Sequence, residues 1–87
     1  MWFDFDPHKS VTNEVKHGID FEEAQALWRD ERLLVVPART EDEPRFLAVG
    51  LIGDKHWSAI FTHRHGEIPI ISVRRARKLE IEKYESA

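Results

Sequence analysis

The chain has 87 residues, 41% hydrophobic and 33% charged, with no cysteine and a formal net charge of −3 at pH 7. That length implies one domain with one small core. The missing cysteines exclude disulfides and thiolate metal sites, and the acidic balance argues against a generic nucleic-acid coat.

Trp2-Phe3-Asp4-Phe5 reads as a short strand. The opening has no basic segment followed by an apolar run, so no secretory leader is expected. No apolar stretch approaches the roughly 18 residues of a membrane helix, and a cytoplasmic protein is the expectation. Asp6-Pro7 reads as a helix start, because Asp accepts from free backbone donors and Pro at the first position loses no needed N–H. This helix is predicted to run to His17, with Val11 and Val15 as a thin apolar side, and Gly18 ends it. Asp20 and Glu23 have capping-box spacing. Phe21, Ala24, Leu27 and Trp28 then recur at helical spacing and should face the core.

From Arg32 onward the pattern changes to strands. Leu33–Val36 ends at Pro37, and the short segment Ala38–Pro44 cannot separate domains. Arg45–Ile52, Lys55 to His63 or Arg64, and Glu67–Val73 follow, joined by two-residue turns at Gly53-Asp54 and His65-Gly66. A last helix covers Arg77–Glu85, with Leu79, Ile81 and Tyr84 as its apolar residues. The reading is an α+β fold: an antiparallel meander with two N-terminal helices and one C-terminal helix.

Candidate chemistry is sparse. His63 and His65 alternate and share a strand face, but no third ligand stands at metal spacing, so no metal site is expected. No nucleophile elbow or phosphate-binding glycine loop is present. The basic residues are more informative. Residues 62–78 carry Arg64, Arg74, Arg75, Arg77 and Lys78 against the one acid Glu67, and Arg offers a fork matched to phosphate. With a two-residue turn at His65-Gly66, Arg64 pairs with Glu67 and His56 with Arg75. His56, Ser58, Thr62, Arg64 and Arg75 then share one face, while Trp57, Ala59 and Phe61 turn toward the helices. Arg64 and Arg75 would lie roughly 25 Å apart along that face. Such a face suits a path for several nucleotides, or an ordinary solvated sheet.

Several segments together resemble a known family. They are Lys16-His17-Gly18, Phe21-Glu22-Glu23-Ala24, Arg45-Phe46 with Gly50, Thr62 with Arg64, Ile70-Ile71-Ser72 with Arg74-Arg75-Ala76, and Tyr84, preceded by Asp6, Lys9 and Asn13. In order and spacing they resemble the BrnT toxins of bacterial type II toxin–antitoxin systems. The resemblance implies one toxin domain over residues 1–87 with a RelE-like fold. It implies a metal-independent endoribonuclease that needs no cofactor, cleaves RNA and arrests growth. It also implies a BrnA-like antitoxin partner, through which alone operator DNA is contacted. Three positions depart from the pattern. Pro69 replaces a basic residue and should sit at a sheet edge or near a bulge. Val73 stands where the family has Ala, and Glu31 follows Asp30 where Pro is usual.

Metal-free RNA cleavage uses the neighbouring 2′-OH and needs positioned donors and a proton carrier. On the resemblance, His17 is the candidate general base or acid, supported electrostatically by Lys16. Arg74 or Arg75 would stabilise charge, and Arg64 would bind substrate together with Arg45, Arg77 and Lys78. His17 also fits a plainer part, a helix C-terminal residue interacting with the helix dipole. The competing reading is a non-catalytic module that holds nucleic acid or a partner on the basic face around Arg64 and Arg74-Arg75.

Overall fold

The first helix is bracketed by residues that its ends require. The Asp6 side chain accepts a hydrogen bond from the His8 N–H, Pro7 takes the first helical position, and Gly18 closes the helix at φ 78°. These ends define α1, Pro7–His17, in the computed structural model, which describes residues 2–38 and 43–87. The expected linker falls mostly on residues 39–42, outside the described residues. Asp20 and Glu23 form the expected capping box of α2, Phe21–Ala24, which continues as a 3₁₀ segment, Gln25–Arg29. The remaining elements are β1 Trp2–Asp4, β2 Leu34–Ala38, β3 Arg45–Ile52, β4 Lys55–Phe61, β5 Glu67–Arg75 and α3 Lys78–Ser86.

The strands form one five-stranded sheet in the order β1-β5-β4-β3-β2. Strands β2 to β5 make the expected antiparallel meander, but β1 joins β5 in parallel, so the sheet is mixed. Gly53-Asp54 links Ile52 to its partner Lys55. Arg64 and Glu67 exchange both backbone bonds around His65-Gly66, whose φ values of 52° and 79° are those of a type I′ hairpin turn. Pro37 does not end its strand. It pairs with Phe46 inside β2, an edge strand, where a missing donor is tolerated.

One face of the sheet carries the core. Phe21, Ala24 and Leu27 pack there against Trp57, Phe61 and Val73, as the helical spacing predicts. Trp28 stays half-buried, edge-on to both Phe3 and Phe61. The predicted apolar side of α1 is reversed. Val11 and Val15 are 64% and 82% exposed, and α1 turns Ser10 and Asn13 inward instead. The cause is backbone satisfaction. β1 covers the outer edge of β5 only as far as Pro69. Beyond it the Asn13 carboxamide accepts from the Val73 N–H at 3.1 Å and donates to the Val73 carbonyl at 2.9 Å, as a further strand would. Ser10 Oγ accepts the Phe21 N–H at 2.9 Å. Of the apolar residues of α3, Tyr84 is buried and Leu79 is 70% exposed.

The pairing of β4 with β5 also departs from expectation. Phe61 lies opposite Ile70, yet Ile60 lies opposite Ser72, so Ile71 is an inserted residue, a β-bulge next to Pro69-Ile70. Burial records the same shift, since Ile68 and Ile70 are buried and the next buried position is Val73. Arg75 therefore pairs with Trp57 rather than His56, and Arg74 is the arginine that joins the Ser58 face.

Candidate functional site

The bulge at Ile71 splits the expected basic face in two. On the α3 side, Arg74 donates both guanidinium arms to Glu80, each at 2.8 Å. Ser58 Oγ and the Arg77 N–H also donate to that carboxylate at 2.8 Å. The Arg74 hydrogen bond is the main reason the Glu80 carboxyl is held down to about 2, and the pair raises Arg74 in turn. Arg75 lies over the Trp57 ring at 5.4 Å and donates to the His56 carbonyl at 3.3 Å. Arg77 precedes α3 and Lys78 opens it, both exposed. His56 meets Glu85 at 2.7 Å. On this side Arg74 and His56 meet carboxylates, while Arg75, Arg77 and Lys78 form no salt bridge among the described residues.

A second, part-buried clasp ties α3 to the far side of the sheet. Tyr84 donates to Asp30 Oδ2 at 2.5 Å, and the Leu51 and Arg32 N–H groups donate to the same carboxylate at 2.9 Å. Burial pushes the Asp30 carboxyl up, but these bonds outweigh it and hold it below its ordinary value. The bond to Asp30, with burial second, lifts the Tyr84 hydroxyl to about 12. A Cβ on Gly50 would lie 3.0 Å from Asp30 Oδ2, so glycine is what lets the carboxylate approach β3.

The other half of the basic set lies between α1 and β5. A depression of about 250 Å³ is lined by Asp4, Asp6, Lys9, Glu43, Arg45, Thr62, Arg64 and Ile71, among others. A second of about 230 Å³ is lined by Lys9, Thr12, Asn13, Lys16, His17, Ile71 and Ser72, among others. Lys9 and Ile71 belong to both, so the two form one furrow over the bulge.

Local structure explains the convergence. Positions 9, 13 and 16 follow helical spacing and lie on one face of α1, and Asn13 fastens that face to Val73. Lys16 and His17 occupy the last turn, where the helix dipole favours positive charge. The Thr62 hydroxyl donates to the Pro44 carbonyl at 2.6 Å, joining the end of β4 to the entry of β3 and bringing Arg45 near Arg64. Arg64 Nη2 alone donates to both Glu43 carboxylate oxygens, at 3.0 and 2.8 Å, which raises its guanidinium. Lys9, Lys16 and Arg45 form no salt bridge among the described residues.

The furrow thus gathers four expected site residues, Lys16, His17, Arg45 and Arg64. It does not include Arg74, Arg75, Arg77 or Lys78. It adds Lys9, whose spacing from Lys16 along one helix was the available signal. For a metal, the described residues bring together the carboxylates of Glu14, Asp20 and Glu23, and the last two already serve as the α2 cap. His63 instead rests edge-on against Phe46 and Phe61. Among the described residues no helix is long and apolar enough to cross a membrane. Chemically, the furrow combines cationic side chains of the types that pair with phosphate with one imidazole.

No curated protein matches the chain. Residues 5–80 match a family model described as the ribonuclease toxin BrnT of type II toxin–antitoxin systems, and that span holds every cation of the furrow. The chain belongs to the BrnT family of ribonuclease toxins.

Proposed function

We propose that this toxin is a metal-independent endoribonuclease whose reaction centre is the furrow between α1 and β5. The observation that carries the reading is the meeting of His17, Lys16, Arg45 and Arg64 in one furrow of a ribonuclease-family chain. In this reading the 2′-oxygen of the RNA attacks the adjacent phosphorus and the bond to the 5′-oxygen breaks. A 2′,3′-cyclic phosphate and a 5′-hydroxyl result. His17 exchanges the proton as general base or acid. Lys16 lies beside it and stabilises negative charge on the phosphorane-like state, while Arg45 and Arg64 orient the chain through its phosphates. Arg74 and Arg75 act here as framework, holding α3 and the end of β5, with Arg77 and Lys78 outside the centre.

The wider biology follows the family. A RelE-like kinship of the fold, growth arrest on expression, a cytoplasmic site of action and a BrnA-like antitoxin covering the furrow are all part of the proposal. Operator DNA would be reached through the antitoxin. Purified, antitoxin-free protein incubated with single-stranded RNA and EDTA tests the reaction. Cleavage leaving a cyclic phosphate is expected. Cleavage that stops with chelator and returns with a divalent ion would overturn the metal-independent mechanism, and RNA binding without cleavage would support a non-catalytic module.

A further inference from the structure

The furrow has a waist. Lys9 and Ile71 line both depressions, so whatever occupies the two must pass between them. Lys9 is exposed and forms no salt bridge among the described residues. Lys16 lies seven positions further along α1, roughly 10 Å along the axis. Lysines rooted that far apart can reach different phosphates of one strand. Arg45 and Arg64 stand at the far end with a third position for an anion. There a carboxylate already sits, because both Glu43 oxygens accept from Arg64 Nη2, at 3.0 and 2.8 Å. The side chains of that pair are 54% and 39% exposed, so it exchanges partners at small cost.

We propose that single-stranded RNA lies along this furrow, with Lys9 holding a phosphate at the waist and Glu43 acting as an anionic stand-in that a further phosphate displaces from Arg64. The inference rests on the ribonuclease reading above and adds the path of the substrate and a competing group. A single strand fits better than a duplex. Each depression holds about 250 Å³ or less, a volume for one nucleotide moiety, and a positive groove that tracks a flexible backbone is how single strands are held. Asp4 and Asp6 line the same end of the furrow. They repel phosphate and confine the strand to the Lys9, Arg45 and Arg64 side.

The test is fluorescence anisotropy of a labelled 2′-O-methyl RNA oligonucleotide, which lacks the attacking hydroxyl, across a salt series. Lys9→Gln is expected to weaken binding and to lower the log–log salt slope by about 0.7, the value of one single-strand phosphate contact. Glu43→Gln is expected to tighten binding by removing the competitor. Lys55→Gln, at the distant β3–β4 turn, is expected to leave both affinity and slope unchanged. Circular dichroism confirms that each variant is folded. Wild-type binding by Lys9→Gln would overturn the path, as would equal losses from Lys9→Gln and Lys55→Gln, the mark of diffuse charge attraction. Wild-type RNA binding by Lys9→Gln with weakened binding of a polyglutamate peptide would also overturn it and give the furrow to an acidic protein partner. Cleavage of unmodified RNA is measured in parallel. Wild-type protein that cleaves while Lys9→Gln binds normally defeats only the path, whereas wild-type protein that neither binds nor cleaves RNA defeats the ribonuclease reading itself.

Discussion

The two sides of β5 use the same residue types to opposite ends. On the α3 side, Arg74 and Glu80 satisfy one another, Ser58 and Arg77 complete the carboxylate, and Tyr84 closes on Asp30. On the α1 side, Lys9, Lys16, His17 and Arg45 line a furrow in which only Arg64, through Glu43, has a salt-bridge partner among the described residues. Of the arginines after β5's apolar run, Arg74 is spent on a carboxylate. Charges whose attraction is spent on a partner hold structure together, and those left facing a cleft are available to a ligand.

The contrast can be broken first at Arg74. Arg74→Ala leaves Glu80, whose side chain is 16% exposed, without its main partner. A loss of about 2 kcal/mol is expected from the charged hydrogen bonds given up. Urea unfolding measures it. A stability change below a few tenths would mean that the α3 side is not held by this pair.

Tyr84→Phe sharpens the same comparison with a smaller effect. Asp30 keeps the Leu51 and Arg32 N–H groups, so the cost should be about 1 kcal/mol. Ribonuclease activity per folded molecule should not change. A large activity loss at unchanged stability would tie the clasp to the chemistry and blur the division between the two sides.

Acid provides a third, graded probe. Glu80 ordinarily titrates near 4.5 and is held down to about 2 in the folded state. A depressed carboxyl lends stability that is full above its unfolded value and is lost as pH falls through its folded value. The contribution should therefore fade between about pH 4.5 and 2. Glu80→Gln should flatten that part of the urea midpoint against pH. An unchanged profile would place the acid sensitivity elsewhere.

The smallest effect is expected on the outer face of α1. Val15 is 82% exposed, and Val15→Ser should shift stability by no more than about 0.5 kcal/mol. A larger loss would mean that this face of α1 carries packing.

Local features were legible in the sequence. Asp6-Pro7 and Gly18 bound α1, Asp20 and Glu23 cap α2, and Gly53-Asp54 and His65-Gly66 turn the hairpins, because each depends on a few adjacent residues. The sidedness of the site was not legible. One inserted residue at Ile71 exchanges the faces of Arg74 and Arg75 while leaving the local pattern of apolar and basic residues intact. The neutralisation of Arg74 was equally hidden, since it requires α3 to fold back over Ser58. The inward turn of Asn13 depends on where β1 stops covering β5. Lys16, His17, Arg45 and Arg64 were all picked out as residues. Their meeting in one furrow is a product of that long-range arrangement.

The most direct test sets the two sides against each other on one substrate. Single-turnover cleavage of a single-stranded RNA, in EDTA and with protein in excess, is compared for His17→Ala and Arg74→Ala, with rates normalised to folded protein. Loss of a proton-exchanging group should lower the rate by about 100-fold or more, so His17→Ala should be nearly inactive while Arg74→Ala retains a rate within a few-fold of wild type. The opposite pattern, with Arg74→Ala inactive and His17→Ala fully active, would place the reaction centre on the α3 side and contradict the account.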